Sequence, residues 1–197
     1  MKKNAMLLLL PLAFALPAFA ADDGFFVAAN AGLVGFNNSP ALIGSTLRIS
    51  GGYNFNPYVG VEAGYATGEG TTQTTFSGFG TSWSYTDTMK YSASHAAAIL
   101  TYPFSEKFGV YAKLGFANTT LDYTFSSTLG ATGSGSAKKN NPMLGVGWRF
   151  NFGQNFGLRV QYDDYGQIPL IANYSNQPSQ TYNVGVQVFS AGVAYNF

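Results

Sequence analysis

The chain of 197 residues contains no cysteine and a single histidine. Disulfide frameworks and zinc or iron–sulfur sites built on Cys and His clusters are therefore excluded. Charge is also scarce, because only 10% of the residues are charged, against roughly 25% in an average soluble domain. Such a deficit indicates a surface that does not face water or one made mostly of loops. The formal net charge of +1 argues against nucleic acid as a partner, since nucleic-acid-binding proteins carry basic stripes.

Long hydrophobic runs are missing as well. Beyond the N-terminus, no stretch approaches the roughly eighteen apolar residues that a transmembrane helix needs. The N-terminal apolar run, residues 5–16, follows two lysines and precedes Ala18-Phe19-Ala20, which is the order of a secretory signal peptide. We therefore expect cleavage of residues 1–20, leaving residues 21–197 as one exported domain. The alternative is an uncleaved membrane anchor.

What recurs in the exported part is alternation with a period of two residues. From Phe156 to Tyr162 the even-numbered residues are large and apolar, whereas the odd-numbered ones are Gly, Arg and Gln. In a strand such alternation gives one apolar face and one small or polar face. The pattern predicts eight strands, at residues 24–35, 46–55, 58–67, 89–102, 107–118, 142–152, 155–166 and 184–197.

The predicted connections fall into two classes that alternate along the chain. Three are tight, and the others are long and rich in Gly, Ser, Thr and Asn. The tight ones are 56–57, 103–106 and 153–154, and the long ones are 36–45, 68–88, 119–141 and 167–183. Residues 71–85 alternate in part, and the alternative for them is a hairpin that extends beyond the membrane. Short turns at one end and long loops at the other are typical of transmembrane barrels. We therefore predict an all-β fold, an eight-stranded antiparallel up-and-down transmembrane β-barrel in the cell outer membrane.

Aromatic residues and glycines support the membrane barrel. Aromatic residues flank all three tight turns and end the chain, as a membrane interface favours, although aromatic residues are also good strand formers. A soluble ligand-binding barrel is the alternative, with large apolar residues inside. The other face is too sparse in polar groups to clothe such a barrel in water, and it carries the glycines of a narrow lumen: Gly60, Gly64, Gly109, Gly115, Gly145, Gly147 and Gly192.

Charged residues also fall on the small-residue face. Placing an Arg or Lys on the lipid face near the midplane costs about 2–4 kcal/mol, so the charged face is assigned to the lumen. The predicted lumen charges are Arg48, Glu62, Lys113, Arg149 and Arg159, with Asp163 nearer the outer mouth. Counting from the tight turns, we expect Glu62 to share one layer with Lys113, Arg149 and Arg159. The layer is either a structural salt-bridge plug or the lining of a narrow path for anions and water.

Several segments resemble small outer-membrane barrels of the OmpA-like and opacity-protein group. Residues 52–65 (GYNFNPYVGVEAGY) resemble the second hairpin of that group, and Tyr195-Asn196-Phe197 resembles its C-terminal signal for the barrel-insertion machinery. Its middle and seventh strands are similar to residues 108–115, 145–150 and 158–162. Gln161 departs from the group, which often has Glu there. Longer relatives continue into a peptidoglycan-binding domain, and we expect no cell-wall tether by that route here.

Catalytic, cofactor and metal sites are not predicted. Outer-membrane lipid A enzymes of similar size use a histidine with a serine and a carboxylate, and His95 beside Ser94 is the one histidine available. Strand parity places His95 in the lumen, away from lipid, so a hydrogen-bonded structural histidine is the preferred interpretation. No P-loop, dinucleotide fingerprint or calcium loop is present.

Two functions remain open. The first is a structural or surface-interaction protein whose four outer loops contact lipopolysaccharide, host molecules or other cells, since loops on a rigid scaffold usually carry binding. The second is a narrow pore with a basic lumen. The apolar cluster at residues 168–171 either binds a partner or lies against the barrel rim, and Lys138-Lys139 is too small a patch for heparin-type binding. The expected partners are outer-membrane lipid and lipopolysaccharide, and the insertion machinery through Phe197.

Overall fold

Eight antiparallel strands form one closed barrel, in which β1 pairs with both β2 and β8. The computed structural model describes residues 24–37, 42–78, 81–153, 155–175 and 177–197. The strands are β1 Gly24–Asn37, β2 Leu42–Asn56, β3 Val59–Gly78, β4 Thr81–Pro103, β5 Phe108–Ser127, β6 Thr132–Phe152, β7 Phe156–Tyr174 and β8 Gln177–Asn196. The predicted fold class is confirmed. The expected signal peptide, residues 1–20, and Gln154 lie outside the described residues. Within the described part, no helix is long and apolar enough to cross a membrane.

The strands extend further outward than the sequence predicted. Residues 68–88, 119–141 and 167–183, predicted as long loops, are mostly strand. Residues 68–78 of β3 pair one for one with residues 81–91 of β4, so the extended hairpin that was the alternative for residues 71–85 is present there. The prediction was wrong because Thr, Ser and Gly are typical of loops, whereas continuous pairing with the neighbouring strand keeps these segments extended. The barrel therefore carries tall hairpins rather than long irregular loops.

The tight turns are built from local side-chain hydrogen bonds. In the β2–β3 turn, Asn56 Oδ1 accepts the backbone N–H groups of Tyr58 and Val59, each at 2.9 Å. In the β4–β5 turn, the hydroxyl of Ser105 accepts the N–H of Phe108 at 3.1 Å. Asn and Ser favour turns because their side chains replace a backbone acceptor in this way. These turns define one end of the barrel.

An apolar band covers the outside of the barrel next to the tight turns. On β6 it runs from Leu144 through Val146, Trp148 and Phe150 to Phe152, all more than two-fifths exposed. This span of nine residues matches the roughly 9–11 residues that a tilted strand needs to cross a bilayer. At the turn end, aromatic rings contact one another along and between strands: Tyr102–Phe104, Phe104–Phe108, Phe152–Phe156, Phe156–Tyr195 and Tyr195–Phe197. The predicted aromatic grouping at the turn end is therefore present.

The polarity of the barrel wall reverses along its length. Within the band, the outward side chains are apolar and the inward ones include Arg48, Glu62 and Lys113, all buried. Beyond an exposed pair, Glu69 and Lys90, joined at 3.0 Å on the outside of β3 and β4, the outward residues are mostly Thr and Ser. There the inward residues become Met89, Tyr91, Leu121 and Tyr123, which are buried. The outer part therefore has polar residues outside and apolar residues inside, as a water-soluble barrel does.

A bulge in β7 shifts the inward-facing parity. Gly166 has a φ of +79°, and its N–H donates to Asp164 Oδ1 at 2.7 Å. The extra residue lets Tyr165 and Ile168 both point inward although their numbers differ in parity, and both are fully buried. Glycine adopts positive φ without steric cost. Around this bulge the β6–β7 ladder is interrupted between Ser134 and Leu144, where Asn141 Nδ2 instead donates to the carbonyls of Tyr165 and Gln167.

Candidate functional site

Arg48 lies at the centre of a buried charge cluster, the ionic layer, formed by Arg48, Glu62, His95, Lys113, Arg159 and Asp163. Its guanidinium contacts Glu62 Oε1 and lies 2.5 Å from Asp163 Oδ2. The same group lies 2.8 Å from His95 Nε2. The side chains of Arg48, Glu62 and Asp163 have no solvent exposure. Because β2, β3, β4, β5 and β7 all point members of the ionic layer inward, the cluster links five strands across the lumen.

Two further cations complete the layer. Lys113 Nζ lies 3.0 Å from Asp163 Oδ1 and 3.4 Å from Glu62 Oε1. Arg159 Nη1 lies 2.8 Å from Glu62 Oε2, and its Nε donates to the Tyr111 hydroxyl at 3.3 Å. Buried charges are tolerated only when they are paired and hydrogen-bonded. The layer pairs two carboxylates with three cations, whereas Arg48 Nε and His95 Nδ1 have no hydrogen-bond partner among the described residues.

Two of the predicted lumen charges occupy other positions than expected. Asp163, expected nearer the outer mouth, lies inside the layer and supplies its second acid. Arg149, expected inside the layer, is half-buried and lines a cavity of about 40 Å³ with Asn54, Thr101 and Asn151, which lie near the tight-turn ends of their strands. Counting residues from the turns misplaced both, because strands in a closed barrel are tilted and staggered.

Gln161 supplies an acceptor where the resembling group often has Glu. Its Oε1 accepts hydrogen bonds from Lys113 Nζ at 2.9 Å and from the Tyr111 hydroxyl at 2.8 Å. The amide oxygen thus keeps the geometry of a carboxylate acceptor without its charge. Its Nε2 has no hydrogen-bond partner in the described part of the chain.

His95 belongs to the ionic layer and lies in the lumen as predicted. It is 5% exposed, and its ring approaches Arg48 and, at 3.5 Å, Glu62 Oε1. Ser94 points to the opposite, exposed face. A serine–histidine–carboxylate constellation needs the serine within hydrogen-bond reach of the histidine, and these neighbours in sequence face apart. The described contacts of His95 are therefore with the ionic layer and not with Ser94.

Above the ionic layer the lumen is filled by apolar side chains from all eight strands, here called the apolar plug. Its members are Val34, Phe36, Leu42, Ala66, Met89, Tyr91, Ala93, Ala117, Leu121, Tyr123, Met143, Tyr165, Ile168, Leu170, Ala172, Val184, Val186 and Val188. None is more than 8% exposed. The plug was not predicted from the sequence, because most of its outer members lie in the segments predicted as loops. Together the two layers close the described lumen by different chemistry.

The apolar cluster of the last predicted loop divides between the two faces of β7. Ile168 and Leu170 belong to the plug, whereas Ile171 is 53% exposed on the outside. Of the two interpretations left open, binding a partner or lying against the barrel rim, the burial of Ile168 and Leu170 favours packing within the barrel. The β7 bulge makes this possible, because it turns the even-numbered residues inward.

An aromatic strip rises from the plug toward the tip of the β3–β4 hairpin, formed by Tyr174, Phe125, Tyr85, Phe76 and Trp83. Ring centroids lie 6.0 Å apart for Tyr174 and Phe125, 5.9 Å for Phe125 and Tyr85, and 4.5 Å for Phe76 and Trp83. Phe125 and Tyr174 pack against the plug, whereas Phe76 and Trp83 are 44% and 37% exposed. The strip lies on the inward-facing side of the hairpin and becomes exposed toward the tip.

Charge is sparse on the outer hairpins. Residues 71–86 contain no charged residue, and six Thr, three Ser, one Gln and four aromatic residues make up fourteen of the sixteen. The described residues also hold no group of three His, Cys, Asp or Glu side chains arranged for a metal. Residues 71–86 of the β3–β4 hairpin therefore offer hydroxyl groups and aromatic rings, not charges.

Comparison with known proteins was made by family and by structure. A family model described as "Outer membrane protein beta-barrel domain" matches residues 6–197. No curated protein matches the chain. Among solved structures, Neisserial surface protein A is 20% identical, with 88% of this chain and 97% of that chain covered and a TM-score of 0.58.

Two other solved structures are similar in fold. The attachment invasion locus protein of Yersinia pestis, in complex with the heparin analogue sucrose octasulfate, is 19% identical, with 89% of this chain and 100% of that chain covered and a TM-score of 0.56. The N-terminal β-barrel domain of Pseudomonas aeruginosa OprF is 14% identical, with 89% and 100% covered and a TM-score of 0.51. At these identities the likeness concerns the fold.

Proposed function

Because this chain belongs to the outer membrane protein β-barrel domain family, we propose that it is a closed, non-conducting outer-membrane scaffold that presents tall hairpins for contact with molecules at the cell surface. Membership of the family implies an outer-membrane location. The proposal adds that the barrel carries no ion current and no catalysis. Its function then lies in the part of the barrel that projects beyond the membrane.

The observation that carries this proposal is the double closure of the lumen. The ionic layer crosses the lumen at the level of the apolar band, and the apolar plug fills it above. Ions would have to displace buried ion pairs and then cross a packed apolar region, and each step is unfavourable. Eight-stranded barrels generally have an interior just wide enough for side chains to fill. The narrow-pore alternative has in its favour one small cavity at the tight-turn end, lined by Arg149, which lies below the ionic layer.

The ends of the chain fit the same proposal. Residues 1–20 would direct export and be removed after Ala20. The C-terminal Phe197, whose N–H donates to the carbonyl of Phe25 at 2.9 Å and whose side chain is 71% exposed, would be read by the insertion machinery. Lipid would surround the apolar band, and lipopolysaccharide would meet the outward Thr and Ser side chains above it.

Conductance tests the closure. The exported chain, residues 21–197, would be refolded, checked by its heat-dependent shift on a denaturing gel and inserted into planar bilayers. We expect no steady current from the folded barrel or from Arg149→Glu. A steady current that changes in Arg149→Glu would overturn the proposal and identify a pore.

Accessibility tests the orientation. Since the chain has no cysteine, one introduced cysteine is a unique label site. Gln73→Cys, on the exposed outward face of β3, should react with a membrane-impermeant maleimide on intact cells. Glu106→Cys, in the exposed β4–β5 turn, should react only after the cells are opened. The reverse pattern would contradict the proposed orientation.

A further inference from the structure

We propose that the tip of the β3–β4 hairpin is a binding site for neutral saccharides that approach from outside the cell, formed by Phe76, Trp83 and Tyr85 with neighbouring threonine hydroxyls. The inference rests on the proposed function, because it needs the hairpin to project outside the membrane. It adds the chemical class of the ligand and the residues that contact it.

The aromatic rings at the hairpin tip contact one another but remain partly exposed to solvent. Phe76 and Trp83 face each other across the ladder at 4.5 Å and 18° between planes, and Tyr85 lies 6.0 Å from Phe76. Stacking on one another buries part of each ring, yet two-fifths of Phe76 remains open to solvent. The rings are held from below by Phe125, which packs on the plug. A pre-formed, rigid apolar surface loses little conformational entropy when it binds a ligand.

Hydroxyl groups border the rings on the same face. By strand parity Thr72 and Thr74 of β3 and Thr81 of β4 point to the side that carries Phe76 and Trp83. A pyranose ring has an apolar C–H face and a rim of hydroxyl groups, so aromatic rings flanked by hydroxyls match both parts of it. Thr81 Oγ1 already donates to the Gly78 carbonyl at 3.1 Å. A purely apolar partner, such as an acyl chain or a protein core residue, would cover the hydroxyls of Thr72 and Thr74 without offering them a hydrogen bond, which is costly.

Charge decides between neutral and anionic saccharides. Residues 71–86 carry no charge, and the charge that follows on the ring-bearing face is the carboxylate of Asp87, paired in register with Thr72. Sulfated or phosphorylated glycans are instead recognised by clusters of Arg and Lys. On the neighbouring hairpin, Lys138 and Lys139 lie on β6, and Lys139 Nζ already donates to the carbonyl of Gln167 at 3.0 Å. The solved complex with sucrose octasulfate is therefore not a guide to this tip, and a neutral ligand is favoured.

The direction of the strip identifies the source of the saccharide. The rings lie on the side of the hairpin that faces the barrel axis, whereas lipopolysaccharide of the same membrane surrounds the outward side, with Thr71, Gln73 and Thr75. On the β2 side, the paired residues end at Ser45 and Glu69, and Gly44 still lies beside Gly70, so Phe76 and Trp83 lie beyond the described pairing of β2 with β3. The ring-bearing face is thus reached from above the barrel, by a ligand outside the cell.

Fluorescence offers a direct test. The chain has two tryptophans, Trp83 in the strip and Trp148 on the lipid-facing band, so Trp148→Phe leaves Trp83 as the sole reporter. The refolded barrel in vesicles free of lipopolysaccharide would be titrated with maltoheptaose, cellohexaose, chitohexaose and sucrose octasulfate. We expect a saturable change in Trp83 emission with at least one neutral oligosaccharide and none with sucrose octasulfate at the same concentrations.

Variants on the two faces of β3 separate binding from folding. In the Trp148→Phe background, Phe76→Ala should weaken binding roughly tenfold or more, because a large apolar contact is removed. Thr75→Ala, one residue away on the outward face, should leave the affinity unchanged. Equal affinities in both variants would overturn the assignment of the site, as would a saturable response to sucrose octasulfate alone.

A wider panel closes the test. The same folded barrel would be applied to an array of neutral glycans and to vesicles that contain lipopolysaccharide. Absence of binding to every neutral glycan overturns the inference, and binding to lipopolysaccharide vesicles alone overturns the assigned source. These failures are distinct from failure of the proposed function, which would appear as a steady current or as an inaccessible Gln73→Cys label.

Discussion

Arg48 on β2 and Asp163 on β7 meet inside the barrel, with 2.5 Å between Nη1 and Oδ2, although β1 and β8 separate their strands in the wall. The contact therefore bridges the lumen between two strands that are not neighbours in the wall. Since Arg48 also contacts Glu62 on β3, the same guanidinium ties three strands together. Stability should therefore depend on the acids of the ionic layer more than on any exposed ion pair.

Glu62→Gln tests that dependence. The change leaves Arg48, Lys113 and Arg159 with one carboxylate, and breaking a buried charge network costs about 3–5 kcal/mol. We expect a clear fall in the urea midpoint of the barrel in vesicles, followed by tryptophan fluorescence. Glu69→Gln on the same strand removes an exposed pair with Lys90 and should cost about 1 kcal/mol or less. Equal midpoints for the two variants would contradict the role of the layer.

Gln161→Glu should act in the opposite direction. The new carboxylate would balance the third cation, keep the acceptor that Lys113 and Tyr111 use, and remove the buried Nε2. A buried donor without a partner costs about 1–3 kcal/mol, so the urea midpoint should rise. A lower urea midpoint would show that a third carboxylate destabilises the ionic layer.

Gly166→Ala should destabilise the β7 bulge. A residue with a side chain pays about 1–2 kcal/mol for the left-handed region, and a Cβ at this position would lie 2.8 Å from Asn141 Cβ. Gly35→Ala is the matched control, because nothing lies within 4 Å of a Cβ built there. We expect a lower urea midpoint for the first variant only. If both behave alike, the bulge does not constrain the fold.

Tyr123 should resist ionisation. Burial and the hydrogen bond that its hydroxyl donates to Asp87 Oδ1 at 2.7 Å raise the pKa of Tyr123 above its ordinary value of about 10. A raised pKa in the folded state means that the stabilising contribution is complete below pH 10 and declines as the pH rises above it.

An ultraviolet titration checks this expectation. The difference between the native barrel and Tyr123→Phe should show no tyrosinate appearing near pH 10, whereas exposed tyrosines ionise there. Tyrosinate from Tyr123 at pH 10 would show that the hydroxyl is not held by Asp87.

The membrane part of the barrel was predictable because lipid and lumen impose opposite chemistry on alternate residues. Val61 and Glu62 are neighbours in sequence, and a strand with lipid on one face and the lumen on the other explains why an apolar residue and a charged residue stand side by side. Above the membrane the two faces of a strand differ less in polarity. Thr and Ser face water on the outward face, and the aromatic residues Phe76 and Tyr85 on the inward face are also common in loops. Residues 71–85 also alternate with a period of two, but here the apolar residues face the inside of the barrel and the polar ones face outward, the reverse of the membrane part.

The interior was harder to predict than the wall. Parity alone placed Arg48, Glu62, Lys113, Arg159 and Asp163 inside, because it needs no knowledge of tilt. Height along the axis does depend on tilt and stagger, and Arg149 and Asp163 were therefore set at the wrong level. The contacts of Gln161 could not be predicted either, since they join residues about fifty positions apart in the chain.

The reversal of polarity at Glu69 and Lys90 also fixes how deep the protein sits. A barrel with a uniform apolar exterior could slide along the membrane normal at little cost. Here a shift inward would carry Lys90 toward the hydrocarbon, where a lysine costs up to about 2–4 kcal/mol near the centre. A shift outward would bring Leu144 and Phe116 into water. The height of the hairpin tip above the bilayer is therefore set by the wall itself.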